Sequence, residues 1–336
     1  MQQSPVSRTL RSLASLRLTL AGMLALGAGV LGARAAGGGY DAWVVPPLVL
    51  LSANLLCAIL VNPHFRRNGS LLAFHVLLLA VVVLAAAGRL THLKGRLEIS
   101  EGQRFDPGAV EVLERGPWHP WTLRPGIFEQ GPIEVDYAPG VVRGHTRSRV
   151  WLSDEEGRRS AAVVGDDTPL LWGSYRFYTT SNKGYAVVLD WQGADGELLS
   201  GAVHLPSFPF LVRKQVNQWT TPAGEELEIA VEPPEVPMEE AWVLRGRDSR
   251  ARVTLSREGE SIALAPGEAV QVEGGSVRLA DVRMWMGYEV FYDPTLPWLF
   301  AAALAGVLCM AWYLGGALWS WPLAALEAIG AEEACP

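Results

Sequence analysis

One histidine lies in a stretch of sequence where ionisable residues are rare. His75 follows Leu71-Leu72-Ala73-Phe74 and precedes Val76-Leu77, so its neighbours along the chain are apolar. A charged group inside a lipid bilayer costs several kcal/mol, which makes a histidine in such a segment a functional candidate. A neutral imidazole in an apolar pocket is suited to axial ligation of haem iron. A structural role stays open, because His75 lies about four residues, or roughly 6 Å, into the segment and can reach the interface or a neighbouring helix.

A haem iron with two axial ligands needs a second residue opposite His75. His92 cannot supply it, because about 17 residues of helix would place it roughly 25 Å away. His64 lies beside Arg66 and Arg67 at the same end of the segment. The two guanidinium groups match carboxylates such as haem propionates, although they also serve as ordinary determinants of membrane topology. If haem binds here, we expect the second ligand to come from another protein.

The segment around His75 is one of four stretches that are nearly free of charge. They are residues 16–33, 43–62, 70–89 and 297–321. Each has about the length that an α-helix needs to cross roughly 30 Å of hydrocarbon. The sequence therefore predicts an α-helical integral membrane protein with four transmembrane helices. Residues 1–90 form the first membrane region with three spans, and residues 322–336 form a tail.

The distribution of basic residues predicts the orientation in the membrane. Asp41 is the only acid in the first 97 residues, against nine bases. Bases precede the first span and fill the short loop between the second and third spans, so both places are expected in the cytoplasm. Both termini are then cytoplasmic, and residues 91–296 lie outside a cell inner membrane. Cleavage of the first span as a signal peptide after Ala33-Arg34-Ala35 is an open alternative.

Residues 91–296 have a different pattern, with short runs of alternating apolar and polar residues. Examples are Tyr185 to Trp191 and Glu226 to Val231, and turn residues such as Asp195-Gly196 separate the runs. This period of two predicts an all-β, sandwich-like domain outside the membrane. The proline-rich residues 232–237 are either a hinge between two lobes or a long loop, and the sequence leaves both open.

Several kinds of chemistry find no support in the sequence. The three cysteines are Cys57 and Cys309, inside predicted spans, and Cys335 in the tail, so there is no CxxC pair for dithiol exchange or zinc binding. There is also no HExxH, GxSxG or P-loop motif. We expect no catalytic residue in this chain and no nucleic acid partner, with the lipid bilayer as its surroundings.

Three stretches together resemble the ResB/CcsB family of cytochrome c biogenesis, which belongs to the route called system II. They are Leu13-Ala14-Ser15-Leu16-Arg17-Leu18-Thr19-Leu20, then Phe74-His75-Val76-Leu77-Leu78 continuing to Gly88-Arg89-Leu90, Lys94-Gly95 and Glu101-Gly102, and finally Gly287-Tyr288-Glu289-Val290-Phe291-Tyr292-Asp293-Pro294. No single stretch is specific. Their order, with three spans, a β-rich domain and a fourth span, is much more so.

The resemblance implies a role in moving haem across the membrane and presenting it to apocytochrome c. It implies a partner of the ResC/CcsA type, a membrane protein with a tryptophan-rich WWD motif, and a third-span histidine, here His75, as a haem ligand. The chain is then a non-catalytic subunit of a cytochrome c synthase complex, because it has no WWD motif of its own. The alternative is a membrane-anchored β-domain protein for envelope assembly or sensing, without any role for haem.

Overall fold

A computed structural model gives the structure of the chain. It describes residues 5–153, 158–209, 215–233, 235–246, 252–257 and 259–332, and for residues 5–8, 66 and 317–332 it describes the backbone. The helices within these residues are α1 Pro5–Leu13, α2 Leu16–Ala35, α3 Tyr40–Val61, α4 Pro63–Arg67, α5 Gly69–Thr91 and α6 Leu296–Glu332. The chain divides into two compact units, a membrane unit of Met1–Leu93, Glu114–Pro120 and Tyr292–Pro336, and a β-rich unit of Lys94–Leu113 and Trp121–Phe291.

Four helical segments in the membrane unit are long and apolar enough to cross a bilayer. They are Leu16–Ala35, Tyr40–Val61, Gly69–Thr91 and Leu296–Gly316, the last being the first part of α6. Their outward-facing side chains are mostly leucine, valine and tryptophan, which water would not solvate well but lipid does. The predicted combination of four membrane helices with a β-rich domain is confirmed.

A buried asparagine fixes the break between α1 and α2. Asn54 on α3 is only 4% exposed, and its amide nitrogen donates to the backbone oxygens of Leu13 and Ser15. Its side-chain oxygen accepts a hydrogen bond from the Thr19 hydroxyl at 2.7 Å. Ser15 is the N-cap of α2, where its hydroxyl accepts from the Leu18 amide. An amide side chain in a membrane helix must find such partners, because the bilayer core offers no water.

Fifteen strands are described, nearly all of them in the β-rich unit. Their bounds are β1 Leu93–Ser100, β2 Glu111–Arg115, β3 Phe128–Ala138, β4 Val142–Ser153, β5 Arg159–Gly165, β6 Leu170–Trp172, β7 Tyr175–Gly193, β8 Leu198–His204, β9 Val216–Thr220, β10 Glu226–Glu232, β11 Trp242–Arg245, β12 Arg252–Arg257, β13 Glu260–Leu264, β14 Ala269–Val272 and β15 Gly275–Tyr292. Every second side chain along β10 and β12 is buried. Successive side chains of a strand point to opposite faces, so one face of each strand lies in the core.

The strands form three sheets with antiparallel pairing. The largest has seven strands in the order β2-β1-β15-β7-β6, with β14 paired to β15 and β8 paired to β7. The other two have four strands each, in the orders β13-β12-β10-β9 and β11-β3-β4-β5. The proline-rich stretch follows β10 and precedes β11, which belong to different sheets. Pro234 within it lies outside the described residues, and the choice between a hinge and a loop stays a prediction.

A closed polar network lies within the aromatic core of the β-rich unit. The Gln130 amide donates to the Ser148 hydroxyl at 2.8 Å, and the Tyr288 hydroxyl donates to the Gln130 oxygen at 2.8 Å. Ser148 and Tyr288 complete the ring with a hydroxyl contact of 2.7 Å. Burial raises the pKa of Tyr288, so the phenol remains a neutral donor. The network is fully satisfied, which is the condition for burying polar groups without a large cost.

Lys183 on β7 is the most unusual buried residue of this unit. It is 1% exposed, and its ammonium group donates to the Thr146 hydroxyl at 2.7 Å. Burial lowers the pKa of Lys183 to about 8, and the positive charge of Arg143 acts in the same direction, while Asp166 opposes it. The charged form is therefore less stable inside the protein than in the unfolded chain.

Raising the pH should stabilise the β-rich unit through Lys183. The native pKa is about 8, below the value of about 10.4 for an unfolded lysine, so above pH 8 the unfolded chain binds more protons than the native one. Linkage then adds about 2 kcal/mol to the free energy of unfolding between pH 7 and 9.5, before unfolded tyrosines ionise. Denaturant unfolding of the full chain in detergent, followed by the β-sheet circular dichroism signal, measures this gain.

The matched variant is Lys183→Met, which keeps the length of the side chain and removes the titrating group. The pH-dependent gain should disappear in this variant, while Lys94→Met, at an ordinary half-buried lysine, should retain it. An equal pH dependence in wild type and Lys183→Met would contradict the assignment of the effect to Lys183.

Candidate functional site

His75 lies on the second turn of α5, where the helix backbone fixes the orientation of its ring. Asn68 is the N-cap of α5, and its side-chain oxygen accepts from the Leu71 amide. One turn later, the carbonyl oxygen of Leu71 lies 2.8 Å from Nδ1 of His75. A carbonyl only accepts, so Nδ1 carries a hydrogen, and in the neutral form of the imidazole Nε2 is then the nitrogen with the free lone pair. Backbone bonds of this kind orient histidines that bind metals.

Two phenylalanine rings pack around the imidazole. The Phe65 ring lies 4.2 Å from the His75 ring between centroids, and the Phe74 ring lies at 5.2 Å, edge to face. The same helix face contacts α6, where a Cβ on Gly306 would lie 3.7 Å from Leu77 and 4.0 Å from Phe74. The Phe65 ring is tilted at 39° to the imidazole, and the Phe74 ring is nearly perpendicular to it, at 89°. The described ring contacts of His75 are therefore apolar.

The other residues predicted for this site are on α4, the short helix that holds Phe65. His64 is exposed, and its backbone amide donates to the side chain of Asn62. Arg67 is also exposed, while the side chain of Arg66 lies outside the described residues. Among the described residues, no hydrogen bond or ring contact joins His64 or Arg67 to His75. The structure thus brings the neighbour of His64, rather than His64 itself, against the imidazole.

A second group of titratable residues lies at the opposite end of α5. Arg89 is 3.6 Å from Asp41 and 3.4 Å from Glu114 between charged atoms. His92 is 3.7 Å from Asp41 through Nδ1 and 3.6 Å from Glu114 through Nε2. The guanidinium also lies over the Tyr40 ring at 5.2 Å. We call these five residues the helix-end cluster. It joins the first residues of α3, the last turn of α5 and strand β2.

Three atoms in the helix-end cluster are buried without a hydrogen bond among the described residues. They are Oδ1 of Asp41, Nε of Arg89 and Nε2 of His92. Buried polar atoms of this kind are usually bonded to an ordered water, because a water molecule can both donate and accept hydrogen bonds. Sequence reasoning did not find this cluster. The signal that was available is Asp41, the only acid in the first 97 residues.

Comparison with known proteins gives relatives for most of the chain. No family model matches it. Two curated proteins named "Cytochrome c biogenesis protein CcsB", from Synechococcus elongatus and from a second Synechococcus strain, are each 24% identical over 255 residues. The match covers 72% of this chain and 50% of each relative. The chain is a relative of the CcsB proteins. It spans about half the length of the curated relatives it matches, and the resemblance to the ResB/CcsB family is confirmed.

Two of the stretches that resemble the ResB/CcsB family pack against each other in the membrane unit. A Cβ on Gly88 would lie 2.7 Å from the Thr295 hydroxyl and 3.5 Å from a carboxylate oxygen of Asp293. Asp293 in turn accepts from the backbone and the hydroxyl of Thr295, at the start of α6. A larger residue at position 88 would require the Thr295 side chain to move, so Gly88 allows the end of α5 to approach Asp293 and Thr295 at the start of α6.

Removing the cation of the helix-end cluster should loosen the segment that follows Glu114 on β2. In Arg89→Met, Asp41 and Glu114 lose an arginine that contacts both, and two half-buried carboxylates repel each other. We expect amide hydrogen exchange at Gly116 and Trp118 to accelerate about 5- to 30-fold, corresponding to a loss of about 1–2 kcal/mol. Mass spectrometry of the full chain in nanodiscs measures the exchange.

The control for that prediction is Arg34→Met. Arg34 is an exposed arginine in the last turn of α2, and its replacement should leave exchange in that segment unchanged. Unchanged exchange in Arg89→Met as well would show that the ion pairs do not hold the segment.

The β-rich unit contains an arrangement that resembles a catalytic triad. Nε2 of His204 lies 2.9 Å from the Ser100 hydroxyl, and its Nδ1 lies 3.0 Å from a carboxylate oxygen of Glu98. Its ring also stacks on Trp285 at 4.9 Å. Ser100 is only 2% exposed, which does not suit a nucleophile that a substrate must reach. The three residues tie the end of β8 to β1.

Proposed function

We propose that this chain is a membrane subunit of a cytochrome c biogenesis system that handles haem and presents it to apocytochrome c. The observation that supports this best is the orientation of His75. Its Nδ1 hydrogen is held by the Leu71 carbonyl at 2.8 Å, which leaves Nε2 ready to bind iron. The CcsB name of the two relatives supports the same process.

Haem is the cargo of the proposed system, and its iron supplies the coordination chemistry when it is present. This chain would hold haem through Nε2 of His75, with Phe65 and Phe74 excluding water from the imidazole. The two apolar rings would stabilise the apolar porphyrin ring and disfavour water as a competing ligand of the iron. His64 and Arg67 are exposed near these two rings, where a propionate could contact them, and Arg66 is a third candidate from the sequence.

A partner protein should complete the site. We propose that the second axial ligand comes from a membrane protein of the ResC/CcsA type with a WWD motif. Thioether formation would then belong to that partner, and this chain would be a non-catalytic subunit.

The proposed orientation follows the basic residues of the first spans. Arg67 at the end of α4 and the bases of α1 would face the cytoplasm, as the positive-inside rule requires. His75 would then be on the cytoplasmic side of an inner membrane, where haem is taken up. The β-rich unit would lie outside, where apocytochrome c is available.

The test of the proposal is the visible spectrum of the purified full chain, alone and together with its WWD partner. Haem bound through histidine gives a Soret band, and we expect the band in the complex. If neither preparation contains haem, the proposal fails, and the alternative of a membrane-anchored β-domain protein for envelope assembly becomes the better explanation.

A further inference from the structure

The carbonyl groups at the end of α5 are all bonded within the protein. The Gly88 oxygen accepts from the backbone amide of His92 at 2.8 Å, and the Arg89 oxygen accepts from Nδ1 of the same residue at 2.6 Å. The next oxygens accept from a short loop, which we call the capping loop, residues 116–119. Its bonds are Trp118 N to Leu90 O at 2.8 Å, His119 Nδ1 to Thr91 O at 2.9 Å, and Gly116 N to His92 O at 2.9 Å.

Because protein groups bond all of these carbonyl oxygens, we infer that water does not reach the end of α5 freely. The last four carbonyls of a helix have no partner within the helix, and at an aqueous surface water usually bonds them. In lipid they must be bonded by protein. Gly116 shows how closely the loop is fitted, because a Cβ at this position would lie 2.3 Å from the Leu90 oxygen. Burial also lowers the pKa of His119, which keeps the ring neutral in its contact with Thr91 and 4.8 Å from the Tyr292 ring.

The capping loop exposes a tryptophan at the level of the helix ends. The side chain of Trp118 is 69% exposed. Helix α5 has 23 residues, or about 34 Å of helix, so its last turn reaches the edge of a hydrocarbon layer of about 30 Å. The loop therefore lies where the acyl chains end and the headgroups begin.

Two other exposed tryptophans are at nearly the same level. Trp298 is 68% exposed on the first turn of α6, and Trp43 is 49% exposed on the first turn of α3. The contact of Arg89 with Asp41 aligns the start of α3 with the end of α5, and the contact of Gly88 with Thr295 aligns the start of α6. Tryptophan is enriched at this depth because its ring is apolar and its N–H is polar.

We propose that the capping loop is a membrane-interface anchor and that Trp118 inserts among the lipid headgroups on the side of the membrane from which the β-rich domain emerges. Trp43 and Trp298 form the rest of the same aromatic belt. The anchor would fix the depth of the α5 end. The proposal requires only that the helices span a membrane and does not depend on haem binding.

The test is the depth of a probe at position 118 in the full chain. Cys57, Cys309 and Cys335 are replaced by alanine, single cysteines are introduced as Trp118→Cys, Trp298→Cys and Leu198→Cys, and each is labelled with an environment-sensitive fluorophore in nanodiscs. Leu198 on β8 is the matched control in the β-rich unit, because its side chain is 71% exposed. Quenching by lipids with a nitroxide headgroup is compared with quenching by aqueous iodide.

We expect nitroxide lipids to quench the probe at 118 at least about threefold more strongly than the probe at 198, and as strongly as the probe at 298. Iodide should quench the probe at 198 more strongly than the other two. Equal iodide quenching at 118 and 198 would place Trp118 in water and overturn the proposal. Protection of position 118 from both quenchers would indicate a protein contact and would overturn it as well.

A second variant needs no label. In Trp118→Phe the share of tryptophan fluorescence that nitroxide lipids quench should fall, whereas Trp219→Phe on β9 should raise that share slightly. The substitution at position 118 keeps the backbone amide that donates to the Leu90 oxygen, so folding should be retained. An unchanged share in Trp118→Phe would contradict insertion.

Discussion

If His75 is the proposed haem ligand, replacing it by leucine should remove haem from the proposed complex with a WWD-motif partner. Leucine is close in size and is compatible with a membrane helix, so the change deletes the ligand and leaves the wall of Phe65 and Phe74 in place. Residues that only support a metal ligand are worth about 10- to 100-fold in affinity, and loss of the ligand itself should cost at least that much. The Soret absorbance per protein and the cytochrome c content of cells measure the effect.

The matched control for that experiment is His145→Leu. His145 is an exposed histidine on β4 of the β-rich unit, and its loss should change neither haem content nor cytochrome c. A thermal unfolding midpoint equal to that of the wild type would show that His75→Leu is folded. A folded His75→Leu protein with normal haem content would refute the assignment of His75, although another ligand could still hold haem. Normal cytochrome c without any haem in either protein would refute haem handling altogether.

A single methyl group on Gly29 should weaken the membrane unit. Gly29 lies where α2 crosses α3, and a Cβ there would be 2.3 Å from the backbone oxygen of Trp43. A backbone atom cannot rotate away, so Gly29→Ala must push the two helices apart. Overpacking of this kind typically costs about 1–3 kcal/mol, and small residues at helix contacts in membranes exist to avoid it. The thermal unfolding midpoint in nanodiscs should fall.

Gly27 provides a control two residues away on the same helix. A Cβ on Gly27 would have no atom within 4 Å. Alanine is the better helix former by about 1 kcal/mol in soluble helices, so Gly27→Ala should be neutral or slightly stabilising. Gly29→Ala should thus lower the thermal unfolding midpoint, whereas Gly27→Ala should leave it unchanged or raise it slightly. Equal midpoints would show that α2 is not packed on α3 in the mature protein, which is the result expected if the first span is cleaved as a signal peptide.

The membrane helices and the alternating strands could be predicted from the sequence because they depend on local composition. Nearly charge-free stretches predict spans, since lipid selects apolar side chains along the whole length of a helix. His75 stood out for the same reason, being an ionisable residue among leucines. The tautomer of His75 was not predictable from the sequence. It depends on the side-chain rotamer, which brings Nδ1 to the Leu71 carbonyl oxygen one helical turn earlier.

Some contacts join residues that are distant in sequence, and no local sequence pattern predicts these contacts. Ser100 and His204 are brought within hydrogen-bond distance only by the order of strands in the largest sheet. A search for a nucleophile beside a base along the chain could not find them, because they are 104 residues apart. The buried Lys183 is similar, since a lysine in an alternating strand is normally expected on the exposed face.

The sequence by itself determined that this protein has four membrane-spanning helices and that a β-rich domain lies between the third and fourth, and it marked His75 as the candidate haem ligand. These properties depend on the cost of moving each side chain from water into lipid, which is additive along the chain. Only the tertiary structure decided which groups meet at the helix ends. Arg89 contacts Asp41 and Glu114, and the capping loop bonds the last carbonyls of α5. These groups meet because the chain folds back on the helix ends, and no local sequence pattern contains that information.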